Sequence, residues 1–254
     1  MSSFAIGWIV FACVCAGTLF GMILRAILPE RHLSSESKDL VKMGMGLIAT
    51  MSALVLGLLI ASAKSSFDAQ RNGMAQLAGN TIFLDRLLAR YGPETQDVRE
   101  MLRAAVADLL ERTWPEEASR SGSPRPRSGS EGAYEGFYDK FQELSPKNDA
   151  QRTLQAQILK TSTDIAQSRW LLFAQKDSSI PGPFLVVMVS WITLIFASFG
   201  LYAPPNPTVI GTLLICALAV SSAIFLVLEL DRPLSGMIQI SSAPMRSALT
   251  RLGQ

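Results

Sequence analysis

Few residues in this chain carry side chains that do chemistry, and their spacing decides which chemistry is open to them. There is one histidine, His32, beside Arg31. An imidazole titrates near neutrality, so His32 is a candidate pH sensor, with an interfacial or structural histidine as the plainer alternative. Glu229 and Asp231 stand at the end of an apolar run. They are candidates for meeting a cation, against the plainer roles of helix capping and interface hydration. Cys13, Cys15 and Cys216 all fall inside apolar runs. On a helix the first two point about 200° apart and do not chelate one ion, so the cysteines read as small apolar filler. The Walker, GxSxG, HExxH and CxxC patterns are absent. The sequence thus offers no catalytic residue, no metal site and no cofactor, and it reads as a protein that is not an enzyme.

The elements that position these residues follow from composition. The chain has 254 residues, 49% of them hydrophobic and only 17% charged. A soluble domain carries about 25% charged residues. Net charge is +2, which gives no argument for a nucleic-acid partner. The apolar residues gather into four runs, 5–24, 41–63, 184–203 and 208–230. Each is long enough to cross a bilayer as a helix. The first lacks a basic leading region and is too long for a signal peptide. The expected fold is an all-α membrane protein: four transmembrane helices with a helical cytosolic insertion between the second and third. The expected division is 1–64 for the first two spans, 65–180 for the insertion, 181–230 for the last two spans and 231–254 for interfacial C-terminal helices. Both termini and the insertion then share one side. Lys64, Arg71, Arg169, Lys176, Arg232 and Arg246 flank the spans there, against Arg25, Arg31, Lys38 and Lys42 on the other. That balance favours a cytoplasmic side for the termini. Arg25, at the edge of the first span, reads as a snorkelling anchor.

Nothing breaks a helix between Ser35 and Tyr91, and Gly92-Pro93 ends it. Past the membrane, Phe67, Gln70, Met74, Leu77, Thr81, Leu84, Leu88 and Tyr91 recur at three- and four-residue spacing, so one narrow face packs on other helices. Arg86 and Arg90 repel each other unless acidic partners come from another helix or subunit. A second helix covers about 94–114, and residues 115–132 read as a low-complexity loop. Tyr134 to Leu144 reads as a short amphipathic helix. Ser145-Pro146 starts another that runs to about Lys176, with Leu154, Ile158, Ile165 and Trp170 inward, and returns antiparallel to 65–91. Pro233 reads as the start of a further helix, with Asp231 as its cap.

The second span has two distinct faces. Ala49, Ala53, Gly57 and Ala61 form a stripe of small residues that continues to Ser65. Such stripes let helix backbones approach closely in a membrane, so they are expected to meet a neighbouring helix. Leu47, Met51, Leu54 and Leu58 form another face, able to make an apolar constriction that closes by dewetting. Thr50 and Ser62 add hydroxyls beside it. These six are the candidate pore-lining residues, with contact to other spans or to lipid as the plainer alternative.

Four segments carry a resemblance: "LPERHLSSESKDLVKMGMGLIATMSALVLGLL" (28–59), "AKSSFDAQR" (63–71), "LDRLLARYGPE" (84–94) and "LELDRPLSGMIQIS" (228–241). Together they resemble the bacterial bestrophin-like domain family. That family is named for its similarity to bestrophins, which are pentameric anion or cation channels whose second span lines the pore and whose helices continue into a cytosolic vestibule. The resemblance implies the same for residues 41–64, in a homo-oligomer, a pentamer by this likeness, in the bacterial inner membrane with the lipid bilayer and inorganic ions as partners. The chain departs from bestrophins twice. Residues 41–64 hold no aromatic side chain, and no dense acidic run supplies a calcium clasp. The functional expectation is an oligomeric ion channel; the alternative is a non-conducting membrane scaffold or sensor with a cytosolic helical stalk.

Overall fold

The computed structural model describes residues 2–29, 35–115, 140–141, 145–174, 180, 182–204, 206–233 and 236–253. Every regular element among them is helical. In chain order these are α1 (Ser3–Ile27), α2 (Ser35–Tyr91), a 3-10 turn (Pro93–Thr95), α3 (Gln96–Thr113), α4 (Asp149–Ala174), α5 (Gly182–Tyr202), α6 (Pro207–Leu230) and α7 (Ala243–Arg251). Four of them, α1, α2, α5 and α6, are long and apolar enough to cross a membrane. His32 and the stretch 116–139 lie outside the described residues. So does most of the expected 134–144 helix, of which 140 and 141 are described.

The chain divides into two compact units, 1–67 with 178–238, and 68–177 with 239–254. In the first unit, Val10 and Val14 of α1 pack with Leu59 and Ala63 of α2, Met188, Ile192 and Phe196 of α5, and Ala217, Ile224 and Val227 of α6. The α1–α5 crossing is made by glycine. A Cβ at Gly17 would stand 2.7 Å from Thr193 Cγ2, one at Gly21 would fall on the Ala197 carbonyl, and one at Gly200 on the Thr18 carbonyl. Without hydrophobic drive between helices in lipid, such close backbone approach supplies the contact that holds them. The pairs 17–193 and 21–197 show that α1 and α5 run the same way. The contact of Phe4 with Phe225 makes α6 run opposite to α1. At the shared end of α1 and α5, the Arg25 guanidinium donates to the Ala203 carbonyl, where the helix dipole is negative.

In the second unit the stripe expected on α2 is the buried one. Gln70, Met74, Leu77, Thr81, Leu84, Leu88 and Tyr91 are all buried. Helix α4 lies antiparallel to this half of α2. Leu172 packs at Gly73, and the Gln151 amide donates to the Tyr91 carbonyl at 3.0 Å. Gly92 ends α2 at φ +144°, a conformation that only glycine adopts readily.

Three local expectations differ from the structure. Helix α4 starts at Asp149, because the Asn148 side chain accepts from the Gln151 N–H at 2.7 Å and so caps it, leaving Ser145-Pro146 ahead of the helix. Trp170 is 77% exposed. The buried stripe of α4 runs through Ile158, Thr161, Ile165 and Leu172, and a five-residue step from Ile165 swings Trp170 about 140° off it. No helix follows Pro233 among the described residues of 231–242. Asp231 is instead the C-cap of α6, and the chain turns there. The helix that does form, α7, packs on α3, burying Met245, Ala248 and Leu252 in the second unit.

Candidate functional site

The residues singled out on α2 are brought together by the helix itself. Leu47, Met51, Leu54 and Leu58 are 65%, 49%, 71% and 68% exposed, so this apolar face meets nothing within the chain. Thr50 and Ser62 are exposed beside it, and the Thr50 hydroxyl donates to the Gly46 carbonyl at 2.9 Å, as hydroxyls on apolar helices do. Ala49, Ala53, Gly57 and Ala61 are also exposed, and a Cβ added at Gly57 would meet nothing within 4 Å. The edge of α2 that packs inside its own unit is a third one, carrying Ser52, Leu59 and Ala63. The span therefore presents one edge to its own chain and two to whatever surrounds it.

Past the span the exposed edge continues. Ser65, Ala69, Asn72, Gln76, Gly79, Phe83, Arg86 and Arg90 follow Ser62 at three- and four-residue steps, and every one is exposed. On an α-helix of 3.6 residues per turn, a stripe of period near 3.5 winds left-handedly, as it does where helices surround a common axis.

The acidic candidates are engaged locally. Glu229 is buried, and its carboxylate accepts from the Met237 N–H across the turn that follows α6. Gly236 approaches so closely that a Cβ there would strike this carboxylate. The Asp231 N–H closes the last turn of α6 on the Val227 carbonyl at 3.2 Å. Among the described residues no cluster of three or more His, Cys, Asp or Glu could hold a metal ion.

Two polar centres that sequence reasoning missed tie the second unit together. Asp85, buried on α2, holds Arg99 of α3 through two hydrogen bonds of 2.7 and 3.0 Å, and also accepts from the Gly253 N–H at 3.4 Å. The bond to Asp85 holds the Arg99 guanidinium above its ordinary value. At the corner between α2 and α3, Lys147 pairs with Glu94 at 2.7 Å. The hydrogen bond from Lys147 lowers the Glu94 carboxyl, and the same bond raises the Lys147 ammonium. Burial pushes the neighbouring Tyr91 phenol up, and Glu94 adds to it. The only sequence signal for Asp85 was its position as the one carboxylate in 69–91. The signal for the α1–α5 crossing was plainer, the small-xxx-small pair Gly17 and Gly21.

The comparisons with known proteins agree with this architecture. Crystal structures of a bacterial bestrophin homologue from Klebsiella pneumoniae superpose with a TM-score of 0.63 at 14% identity, covering 95% of this chain and 98% of that one. A second variant of the same homologue gives 0.61 at 13% identity over 94% and 97%. At such identity the likeness is one of fold. No curated protein matches the chain. The model of the Bestrophin-like domain matches residues 12–245, nearly the whole length, and the chain is therefore a membrane protein that belongs to the Bestrophin-like domain family.

Proposed function

We propose that this protein is an ion channel built from several copies of the chain, with α2 of each copy lining a shared central path. One observation carries it. In its most apolar window α2 is 11% buried within the chain, whereas α1, α5 and α6 are each 28% buried. Lipid accepts an apolar face, but it has no use for a stripe of alanine and glycine, which gains only where another helix comes close. The Ala49, Ala53, Gly57 and Ala61 edge then meets a neighbouring copy. Leu47, Met51, Leu54 and Leu58 face the axis, an apolar ring that passes ions only when wetted, with Thr50 and Ser62 offering hydroxyls beside it.

Family membership supports the reading, and the resemblance to bestrophins favours five copies. The running directions of α1, α5 and α6 fit four spans in alternation, with the termini and residues 65–180 on the cytoplasmic side of a bacterial inner membrane. His32, Glu229 and Asp231 fall near span ends, where a proton or cation would act on gating and not on the constriction.

The test is in two steps. Mass measurement of the detergent complex gives a multiple of the 27.6 kDa chain; a monomer removes the shared path. Reconstituted into liposomes, the protein carries an ion flux that Leu54→Ala raises. A symmetric oligomer without flux at any voltage, pH or calcium level leaves the non-conducting scaffold as the function.

A further inference from the structure

The charge pattern of α2 in the second unit is lopsided in a way that the span does not explain. Between Ala69 and Tyr91 the helix carries three arginines, Arg71, Arg86 and Arg90, and one carboxylate, Asp85. All three arginines are exposed, whereas Asp85 is buried and committed to Arg99. The exposed surface of this half of α2 is thus cationic without a compensating acid of its own. Arg86 and Arg90 are four residues apart on one face, where like charges disfavour each other unless something negative comes between. Neither forms an ion pair among the described residues, and the nearby acid Glu94 is paired with Lys147. Beside them on the same stripe stands Phe83, 53% exposed on a face that otherwise holds Asn72, Gln76 and Gly79. An isolated helix gains nothing from this arrangement. A ring of such helices gains a positive collar next to a narrow aromatic one.

Resting on the channel reading above, we propose that the channel conducts anions in preference to cations, and that Arg86 and Arg90 set this preference by lining the part of the ion path beyond the membrane. Guanidinium suits the task. It stays charged at every working pH and is weakly hydrated, so it concentrates small anions without binding them tightly. Low-dielectric walls of one charge sign focus the potential into the path between them. Because the anion rises and the cation falls together, a potential weaker by about one kT lowers the anion-to-cation permeability ratio about sevenfold.

The test is the reversal potential of the full-length protein in planar bilayers under a potassium chloride gradient. Wild type reverses toward the chloride equilibrium potential. Arg86→Gln with Arg90→Gln lowers the permeability ratio by about sevenfold or more, Arg86→Lys with Arg90→Lys keeps it, and Arg103→Gln, an exposed arginine on α3, leaves it unchanged. A conducting wild type that prefers potassium, or a ratio unmoved in the double glutamine variant, overturns the assignment while the channel stands. A double glutamine variant that conducts with the same ratio but falls to a smaller oligomer shows that the arginines meet carboxylates of a neighbouring copy instead. A protein that conducts nothing removes the channel and this assignment with it.

Discussion

Replacing Gly21 by alanine is the sharpest perturbation of the membrane unit. A Cβ there falls on the Ala197 carbonyl oxygen and stands 2.9 Å from both the Ala197 carbonyl carbon and the Leu201 nitrogen. All three are backbone atoms of α5, so no side chain can turn away. The two helices must separate by about an ångström before contact is ordinary, which forfeits part of the dispersion along the crossing. Overpacking costs about 1–3 kcal/mol, and a clash with rigid backbone belongs at the top of that range. Alanine returns about 1 kcal/mol of helix propensity relative to glycine. The net loss is therefore about 2 kcal/mol. Unfolding in mixed micelles, titrated with dodecyl sulfate and followed by helical circular dichroism, reads it directly. Gly211→Ala on α6, whose Cβ meets nothing within 4 Å, serves as the control and keeps or raises stability. If Gly21→Ala unfolds at or above the wild-type midpoint, the close α1–α5 crossing is not what holds these helices.

Other expectations concern the second unit. Asp85→Ala leaves Arg99 half-enclosed without its carboxylate and lowers stability by about 3 kcal/mol, measured by denaturant unfolding, because breaking a buried ion pair strands the remaining charge. Trp114→Phe removes the hydrogen bond from the indole N–H to the Ile240 carbonyl, 2.8 Å long. The loss is about 1 kcal/mol, and faster amide exchange over 239–253 accompanies it. The Glu94–Lys147 pair gives stability a pH window. The lowered Glu94 carboxyl contributes above its ordinary value of 4.5 and loses its part as pH falls through the lower folded value; the raised Lys147 ammonium contributes below 10.5 and loses its part as pH rises through the higher folded value. In Glu94→Gln the difference from wild type therefore vanishes at acid pH, as a melting series from pH 3 to 8 would show.

Much of this architecture is legible in the residues, and the reasons are physical. Long apolar runs have one structural solution in lipid, so the four long helices follow from composition alone. The buried stripe from Gln70 to Tyr91 is legible because a packed helical face repeats every three to four residues, and Gly92 ends the helix because the chain needs a positive φ there. Capping is less legible. Ser145-Pro146 and Asp231-Pro233 both carry start signals, yet Asn148 captures the first helix and the Glu229 carboxylate holds the chain in a turn instead of the second. Long-range polar contacts are not legible, since nothing local links Asp85 to Arg99 or Trp114 to Ile240. The small-residue pattern was visible in two places. Gly17, Gly21 and Gly200 answer one another inside the chain, whereas the stripe on α2 finds no partner there, because a partner contributed by another copy leaves no mark in a single sequence.

The face of α2 that meets the ion is the central matter, and substituted-cysteine modification tests it most directly. In a background where Cys13, Cys15 and Cys216 are alanine, single cysteines at Leu47, Met51, Leu54 and Leu58 are exposed to a charged methanethiosulfonate reagent during ion flux. Modification is expected to block or alter the current at these four positions and to leave it unchanged at Ala49, Ala53 and Gly57. Block along the alanine–glycine edge with none at the leucine face would place the path on the other side of the helix and contradict the assignment.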